Sequence, residues 1–357
     1  MPEARHVGLH QRALILAGLL FAAQGSILGA DSPEGLTIAL FPPQNRAGDS
    51  AATYIVGHAL FAELSQHGRL IGPDETRNAL RRLRVRNGDR AAPALLRILG
   101  EELGADWLVS ASVHDADRRQ VPRLSLSVRV YSGRTGELEW AGFRGSSGLD
   151  KRKLLGRGTV SSVEQLVGVA VPRLMRDLPS MGGETAQTAL PALGPRLGTV
   201  AIVPFEATVT RRGTHHAETV TEATRARLVA HGVALVSPNL SHEILRRRQG
   251  GVWGGVTAEA RDGLHSVGGA DTILTGAVER YEVRGSEFEP EPRVSVAMRL
   301  VDAVSGRILW TGSAERDGWD AQGLFRLGRI YSRGALTARI VETLAKRLDR
   351  EGLREIK

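Results

Sequence analysis

The sequence predicts two tandem copies of one α/β domain, each a mixed β-sheet with helices packed on the sheet. Residues 37–42 (TIALFP) recur as residues 199–204 (TVAIVP), and the triplet Gly-Ala-Asp before an apolar run occurs at 104–106 and again at 269–271. Blocks that keep their order and spacing indicate an internal repeat, which determines the architecture before any single motif does. In each copy, strand-like runs alternate with helical patterns, which is typical of a sheet with helices on its faces.

The first copy opens with a strand and a helix. Residues 36–41 are a short apolar and β-branched run, and the strand ends there because Pro42 and Pro43 cannot continue a ladder of hydrogen bonds. Residues 49–66 place apolar side chains at helical spacing, and Gly68 follows as a typical helix stop. This pair of elements predicts the start of a βαβ unit.

The next elements are a second short strand and two helices. Residues 70–71 form the strand, and Asp74 is suited to cap the following helix. That helix would turn Leu80 and Leu83 inward. The second helix covers residues 91–103 and ends before a glycine.

Three strands and a closing helix complete the first copy. Residues 107–113 are predicted to form a buried strand. Residues 124–131 alternate apolar and polar side chains, which predicts one face in the core and one polar face. A turn at 133–136 leads into the returning strand, and the last helix covers about 160–178. The early parallel units and the closing meander predict a mixed sheet.

The copies and the flanking segments have definite predicted limits. The first copy covers residues 36–178 and the second covers residues 198–348. Residues 179–197 are rich in proline, glycine, alanine and threonine and lack periodicity, so we predict a short linker there. Residues 1–30 are predicted to be a signal peptide.

The predicted signal peptide follows from its charge and its length. Two arginines precede an apolar run of residues 13–23, which is too short to span a bilayer. A basic start, a short apolar stretch and small residues are typical of a cleavable Sec-type signal, cut after Gly25 or Ala30. The alternative is a soluble N-terminal helix. Because Asp31 stands where a lipoprotein carries its lipidated cysteine, we expect a free, unlipidated periplasmic protein.

The composition excludes several classes of protein. The 357-residue chain has 47 Lys+Arg against 39 Asp+Glu, a net charge of +8 and 42% hydrophobic residues, which is an ordinary globular balance and not that of a polytopic membrane protein. Cysteine is absent, which excludes disulfides, thiolate nucleophiles and cysteine-ligated metals. Aromatic residues make up only 4%, which disfavours a stacking surface for nucleic acid. We therefore predict no nucleic-acid partner.

Several short motifs resemble a family of envelope domains. A strand ending in proline, as in residues 202–205 (IVPF), resembles the opening of the TolB amino-terminal domain. The Gly-Ala-Asp block and residues 301–310, with their Ser-Gly turn and Leu-Trp pair, are similar to the curli secretion protein CsgG. The resemblance covers most of 36–178 and 198–348, while residues 41–43 depart from it. It implies a fold shared with lipoprotein activators of penicillin-binding proteins and a non-enzymatic role in assembly or protein contacts.

Two recurring motifs have a structural interpretation. Gly104-Ala105-Asp106 and its counterpart at 269–271 could place a catalytic carboxylate before a strand, but a glycine that ends a helix and an aspartate that enters a turn explain them better. Trp140 and Trp310 occupy the same place in both copies. We predict that they fill the core between sheet and helix instead of binding a ligand.

No residue is predicted to be catalytic or to bind a cofactor or a metal ion. The glycine-rich residues 250–255 lack the lysine and the register of a phosphate-binding loop. His215 and His216 are adjacent, and adjacent imidazoles rarely chelate one ion well. Residues 145–148 (GSSG) do not match the G-x-S-x-G nucleophile elbow.

The candidate contacts for an anionic partner are two arginine clusters on matching helices of the two copies. They are Arg77, Arg81, Arg84, Arg246, Arg247 and Arg248. The first three are predicted to share one helical face, since they are spaced at i, i+4 and i+7. A solvated face is the simpler interpretation. The alternative is a basic patch for anionic lipid head groups, lipopolysaccharide, acidic glycan or an acidic protein.

Pore formation by the chain itself is not predicted. A membrane hairpin needs about ten residues per strand, with an uncharged apolar row that faces lipid. The predicted strands 124–131 and 294–301 carry Arg129 and Arg299 on their polar rows, and their apolar rows are needed for the domain cores. An assembly role beside a pore is compatible with this pattern.

The leading hypothesis is a non-enzymatic periplasmic accessory or adaptor protein. Its partner would be an envelope protein or an outer-membrane assembly component, held by two copies at a fixed spacing. One alternative is an oligomerising subunit of an outer-membrane secretion or surface-assembly machine. The other is a glycan-directed hydrolase, which would need a deep pocket with converging polar side chains.

Overall fold

The computed structural model describes residues 35–86, 88–118, 121–150, 158–178, 193–208, 213–248, 251–252, 255–286, 289–320 and 328–352. The predicted signal peptide lies outside these ranges, as do residues 179–192 of the predicted linker and part of the glycine-rich segment.

The first copy contains a six-stranded mixed sheet. Its strands are β1 (Thr37–Leu40), β2 (Gln44–Asn45), β3 (Arg69–Leu70), β4 (Trp107–Asp117), β5 (Arg123–Ser132) and β6 (Leu138–Ser147). The order is β3-β1-β4-β5-β6, with β2 beside β4. β1 pairs in parallel with β3 and β4, whereas β4, β5 and β6 form an antiparallel meander. Parallel neighbours need a crossover connection, which the helices supply.

Helices cover both faces of this sheet. They are α1 (Ser50–Leu64), α2 (Pro73–Arg82), α3 (Pro93–Leu103) and α4 (Val163–Met175). α1 and α4 pack on the apolar row of the meander, where Val56, Val128 and Val171 belong to one core. α2 and α3 cover part of the opposite face, around Leu96 and Leu108.

The second copy repeats this topology. Its strands are β7 (Val200–Ile202), β8 (Glu206–Ala207), β9 (Gly251–Val252), β10 (Gly255–Val256), β11 (Thr272–Gly285), β12 (Pro290–Asp302) and β13 (Ile308–Asp317). The main sheet has the order β13-β12-β11-β7, with β8 beside β11, and β9 pairs with β10 separately. Leu235 bridges to Val200 in parallel, at the place that β3 occupies in the first copy.

Helices of the second copy complete the same layered arrangement. They are α5 (Gly194–Leu197), α6 (Gly213–Ala230), α7 (Pro238–Arg247), α8 (Ala258–Ser266) and α9 (Arg333–Glu351). α6 and α9 share one core with the apolar row of β11, β12 and β13, and α7 and α8 pack on the other face. The structure therefore confirms the predicted fold class, two tandem mixed-sheet domains with helices packed on the sheets.

The Gly-Ala-Asp turn has the same structural role in both copies. The glycine has a positive φ in each, +58° at Gly104 and +68° at Gly269, where a side chain would be strained. The Asp106 carboxylate accepts a hydrogen bond from the backbone N–H of Thr37 at 2.8 Å, and Asp271 makes the equivalent bond in the second copy at 2.8 Å. The aspartates thus connect the turn to the first strand, as the structural interpretation predicts.

The two recurring tryptophans fill the cores, as predicted. Trp140 and Trp310 are 8% and 4% exposed and belong to the main core of their own copy. The Trp310 indole N–H donates to the Glu351 carboxylate at 2.8 Å, which satisfies its polar group at the edge of the core.

The start of α2 differs from the prediction. Gly72 is the N-cap and Pro73 is the first helical residue, so Asp74 does not cap the helix. Proline is well suited to the first helical position because its missing N–H has no partner there in any case. Asp74 lies in the first turn, where a carboxylate favours the helix dipole, and pairs with Arg77.

The last residues of the predicted linker are ordered. Residues 194–197 form the single turn of α5, and the flanking Leu193 and the terminal Leu197 are buried in the second core. Arg196 donates to the Asp349 carbonyl at 3.1 Å. One helical turn is too short to produce a visible hydrophobic period, so composition alone could not reveal it.

The helices of the second copy also cover the sheet of the first copy. α6 contacts β4, β5 and β6, and α9 contacts β5 and β6. Every residue of β5 is therefore buried, including Ser125, Ser127 and Arg129 of its polar row. The alternation identified the apolar row correctly, but the polar row is not solvated, because another domain lies on it.

Candidate functional site

The centre of the interface between the copies is a buried ion pair between Arg129 of β5 and Glu222 of α6. The guanidinium donates from Nε to Oε2 at 2.9 Å and from Nη2 to Oε1 at 3.1 Å, which is a bidentate arrangement. Arg225, three residues along α6, also donates to Glu222. Arg129 Nη1 donates to the Tyr131 hydroxyl at 3.0 Å and to the Asp89 carbonyl at 3.2 Å. Both copies therefore hold this arginine.

The ionised forms of this pair are strongly favoured. Burial alone would raise the pKa of Glu222, but the charges of Arg129 and Arg225 outweigh it and lower that pKa to about 2. Burial likewise opposes ionisation of Arg129, and Glu222 raises the pKa of Arg129 above its ordinary value. The two side chains are 8% and 5% exposed. Removing one partner would leave the other charge buried without compensation.

A second ion pair joins the copies at the start of α9. Asp115 of β4 pairs with Arg333, with 3.0 Å between Oδ2 and Nη2. The Arg333 guanidinium also lies 5.1 Å from the ring centre of Tyr281. His216 stacks on the same tyrosine, with the ring centres 4.5 Å apart. These contacts connect the first sheet to α6, α9 and β11 of the second copy.

The histidine pair of the sequence is divided between two environments. Burial, and then the charge of Arg333, lowers the pKa of His216 to about 4, so this imidazole is neutral at neutral pH. His215 is exposed. Within the described ranges, no three side chains of the metal-ligating types come together.

Further polar and charged side chains connect the two copies at the interface. Burial lowers the pKa of His114 to about 4, and its Nε2 lies 2.8 Å from the Ser127 hydroxyl oxygen. Arg46 of the first copy lies 3.3 Å from Glu218 of the second and 3.2 Å from Asp89. Perturbed pKa values occur in active sites and also in structural ion-pair networks. Here Arg46 and Arg129 of the first copy pair with Glu218 and Glu222 of the second, so the network links the two copies.

The first arginine cluster is exposed, but it does not form one helical face. Arg77 pairs with Asp74 at 2.5 Å, and Arg81 donates to Asn78 at 3.3 Å. Arg84 lies beyond the end of α2, so the predicted i+7 position is not helical. Exposed ion pairs of this kind contribute little to stability.

The second cluster lies at the end of α7. Arg246 and Arg247 are in its last turn, and Arg248 is its C-cap residue. Arg247 pairs with Glu243 at 2.5 Å, and Arg248 lies 3.9 Å from Asp262 of α8. All three arginines are exposed, and basic side chains at this end of a helix complement its dipole.

The packing of the copies brings part of the second cluster next to the first copy. α7 contacts the 3₁₀ turn Gly88–Arg90. Burial lowers the pKa of His242, and the positive charges of Arg90 and Arg246 lower it further, while the charge of Asp89 opposes them. Arg90, His242 and Arg246 are all exposed and form the arginine junction. Sequence reasoning missed Arg90, because only the contact of α7 with the 3₁₀ turn connects it with the second cluster.

Arg84 has a strained backbone. Its φ is +55°, a left-handed conformation that costs a residue with a side chain about 1–2 kcal/mol. The Arg84 N–H donates to the Arg81 carbonyl at 3.0 Å and the Val85 N–H donates to the Leu80 carbonyl at 2.8 Å, which is a Schellman motif. Glycine is the usual residue at this position, so the arginine side chain is present at a cost in stability.

Replacing Arg84 by glycine is expected to raise the free energy of unfolding by about 0.5–1 kcal/mol, because relief of the strain exceeds the entropy that glycine adds to the unfolded chain. Urea denaturation of the full chain measures the change. Arg84→Ala is the matched control, since it removes the charge but keeps the Cβ and hence the strain. Equal midpoints for both variants would show that the backbone at this position is not strained.

A small recess lies between α6, α9 and the second sheet. Its apolar lining residues are Leu228, Leu274, Met298, Trp310, Val341, Leu344, Ala345 and Leu348. Thr224 and Arg227 are the other lining residues. A glycan-directed hydrolase needs several converging polar groups, and this recess does not supply them. Over the described part of the chain, no helix has the length and apolar character needed to cross a membrane.

No family model and no curated protein matches the sequence. Parts of the fold are similar to solved structures of bacterial proteins. Lipoprotein GNA1162 from Neisseria meningitidis is 22% identical over 42% of this chain and 98% of its own, with a TM-score of 0.29. A PelC dodecamer subunit from Paraburkholderia phytofirmans is 21% identical over 44% and 91%, with a TM-score of 0.30. The LpoB C-terminal domain from Escherichia coli is 17% identical over 36% and 93%, with a TM-score of 0.26. Similarities of this size do not assign the chain to a family.

Proposed function

We propose that the protein is a non-enzymatic accessory or adaptor protein of the bacterial cell envelope that binds an acidic surface of another envelope protein through the arginine junction. The observation that carries the proposal is that α7 of the second copy packs on the 3₁₀ turn Gly88–Arg90 of the first copy, so that the exposed Arg90 and Arg246 lie on elements in contact. Exposed guanidinium groups attract carboxylates, which arginine binds through paired hydrogen bonds.

The interface between the copies supports this function by holding the junction in one geometry. The Arg129–Glu222 and Asp115–Arg333 pairs join the two domains beneath the surface. A binding site that is already rigid loses less conformational entropy when the partner binds. The two copies would thus form one binding surface, whereas two independent modules would present separate ones.

The envelope location in this proposal rests on sequence features. Residues 1–30 have the pattern of a Sec-type signal peptide, which would deliver the chain to the periplasm. The resemblance to TolB amino-terminal and CsgG-like domains points to the same compartment. The partner class is then an envelope protein or an outer-membrane assembly component with exposed carboxylates.

A pull-down from envelope extract tests the proposed function. The baits are the wild-type chain, the Arg90→Gln/Arg246→Gln variant, and an Arg97→Gln/Arg350→Gln control that removes two exposed arginines elsewhere. Each exposed arginine near an anionic surface contributes roughly 1 kcal/mol, so the junction variant should bind its partner about tenfold more weakly or worse. Capture by the wild type should decrease as salt is added.

Several outcomes would contradict this function. Equal capture by the wild type and the junction variant at low salt would show that the junction is not the contact. Retention of the wild type on vesicles of anionic lipid, without capture of any envelope protein, would assign the junction to lipid head groups instead. An Arg246→Gln/Arg247→Gln/Arg248→Gln variant that loses binding while Arg90→Gln retains it would restrict the site to α7.

A further inference from the structure

The interface between the copies is heterologous, because different surfaces of the two domains meet. α6 and α9 of the second copy lie on the sheet of the first copy. The corresponding outward surfaces are the outer face of α1 and α4 and the polar row of β12, where His58, Glu164 and Arg299 are exposed. A heterologous contact that repeats between chains produces rings or filaments. Whether this contact can repeat depends on the residues at those outward surfaces.

The copies approach most closely at two glycines. A Cβ added to Gly145 of β6 would lie 2.1 Å from the backbone nitrogen of Ala335. A Cβ added to Gly334 of α9 would lie 2.1 Å from the Ser125 hydroxyl oxygen. Backbone therefore meets backbone across the interface, which only glycine permits.

The outward counterparts of these two glycines are both glutamates. In the sheet register, Glu315 of β13 occupies the position that Gly145 has in β6. In the helices, Glu164 and Gly334 are each the second residue after the serine N-cap. The two glutamate side chains are 56% and 55% exposed, and each pairs with an arginine of its own copy, Glu164 with Arg118 and Glu315 with Arg280. Docking in the same mode between chains would bring two carboxylates into the space where two glycines touch.

The outward surfaces do not reproduce the Asp115–Arg333 ion pair either. Asp115 and Arg280 occupy equivalent positions directly after the bulge in β4 and β11. Arg333 and Val163 are each the first residue after the helix N-cap. Within the chain these positions hold an Asp–Arg pair. Between chains docked in the same mode, they would place Arg280 beside the buried Val163.

The central ion pair also lacks an outward equivalent. Arg299 of β12 corresponds to Arg129 of β5, because the residues paired with them, in β13 and β6, occupy equivalent positions in the two copies. Aligning the His-Gly pairs that follow α1 and α6 places His58 at the position of Glu222. Both surfaces therefore carry an arginine at this position. The carboxylate that pairs with Arg129 within the chain corresponds to an imidazole at the outward surface.

We propose that this interface is used once: the two copies close on each other within one chain, and the outward residues, chiefly Glu164 and Glu315, prevent another copy of the chain from docking in the same mode. The two surfaces have diverged so that only the intramolecular contact is complementary. A ring of chains built by repeating this contact is excluded. The arginine junction then remains on a unit that further copies do not cover in this way.

Cross-linking between single-cysteine variants tests this inference, and it exploits the absence of native cysteine. Gln165→Cys and Ser313→Cys, each on a differently tagged full chain, place thiols at exposed positions that flank Glu164 and Glu315. A short thiol-specific cross-linker then reports docking between chains. The same pair is prepared in a permissive background that carries Glu164→Gly, Glu315→Gly and His58→Glu, all at exposed positions.

The permissive background is expected to give at least about tenfold more mixed cross-linked dimer than the wild-type background, because it restores at the outward surfaces the two glycines and the carboxylate found at the intramolecular contact. A Glu75→Ala/Glu259→Ala background removes two exposed acidic groups elsewhere and should not increase cross-linking. Efficient cross-linking in the wild-type background would overturn the inference. So would a folded permissive variant, verified by circular dichroism, that cross-links no more than the wild type.

Discussion

Replacing Glu222 by alanine should lower the free energy of unfolding by about 3–5 kcal/mol, the largest effect expected of any single substitution at the interface. Arg129 and Arg225 are both buried against this carboxylate and would remain charged without it. The loss is measured by urea denaturation of the full chain, as a shift in midpoint at constant slope.

Two controls separate the buried pair from a general effect of lost charge. Arg97→Ala breaks the exposed Arg97–Glu101 pair and should cost only about 0–1 kcal/mol. The triple variant Arg129→Met/Glu222→Leu/Arg225→Met leaves no unpaired charge, so it should recover much of the stability lost in Glu222→Ala. A Glu222→Ala variant that unfolds at the wild-type midpoint would show that this pair does not hold the copies together.

The same carboxylate predicts how stability depends on pH. The pKa of Glu222 falls to about 2 in the folded protein from an ordinary value of 4.5, so its contribution is complete above about pH 4.5 and is lost as the pH falls towards 2. The stability difference between the wild type and Glu222→Gln should therefore shrink across that window. A difference that is constant from neutral pH down to 2 would contradict a carboxylate ionised by its two arginines.

Replacing Gly145 by alanine should lower the free energy of unfolding by about 1–3 kcal/mol, because the added methyl group has no space. Its Cβ would lie 2.1 Å from the Ala335 nitrogen and 2.2 Å from the Gly334 carbonyl carbon. Both are backbone atoms, which cannot rotate away as the end of a side chain can. The copies would have to separate locally, and urea denaturation measures the cost.

Gly168→Ala provides the matched control for this substitution. Gly168 is exposed within α4, and a Cβ added there meets no atom within 4 Å. Alanine is the better helix former, so this variant should be more stable by about 0.5–1 kcal/mol. The same chemical change would then have opposite signs at the two glycines. A Gly145→Ala variant as stable as the wild type would mean that the backbones of the two copies are not in contact.

Much of the fold was predictable because the same local pattern occurs twice in the sequence. The strand that ends at Pro42, the Gly104 helix stop and the alternation of β5 each depend on neighbours in the chain, so their chemistry is visible without a structure. The N-cap of α2 was misassigned to Asp74, because Pro73 and an aspartate in the first turn produce a similar local signal.

The candidate site was predictable only in part. The arginines of α7 were identified from their clustering, but Arg84 proved to lie beyond its helix and Arg90 was not identified. No local pattern in the sequence distinguishes Arg90 from other exposed arginines. Its significance comes from the packing of α7, which carries Arg246 and lies far along the chain, on the 3₁₀ turn of the first copy.

Local patterns in the sequence were enough to predict the two α/β domains, their order of elements and their apolar cores, because these features depend on periodicity and turn chemistry within each copy. What lies on the polar row of β5 depends on how the two copies pack together. An alternating strand shows which side chains are polar but not what they face, and Arg129 has the same local pattern as Arg299. One is buried against Glu222 and the other is exposed, because a second domain covers only the first sheet.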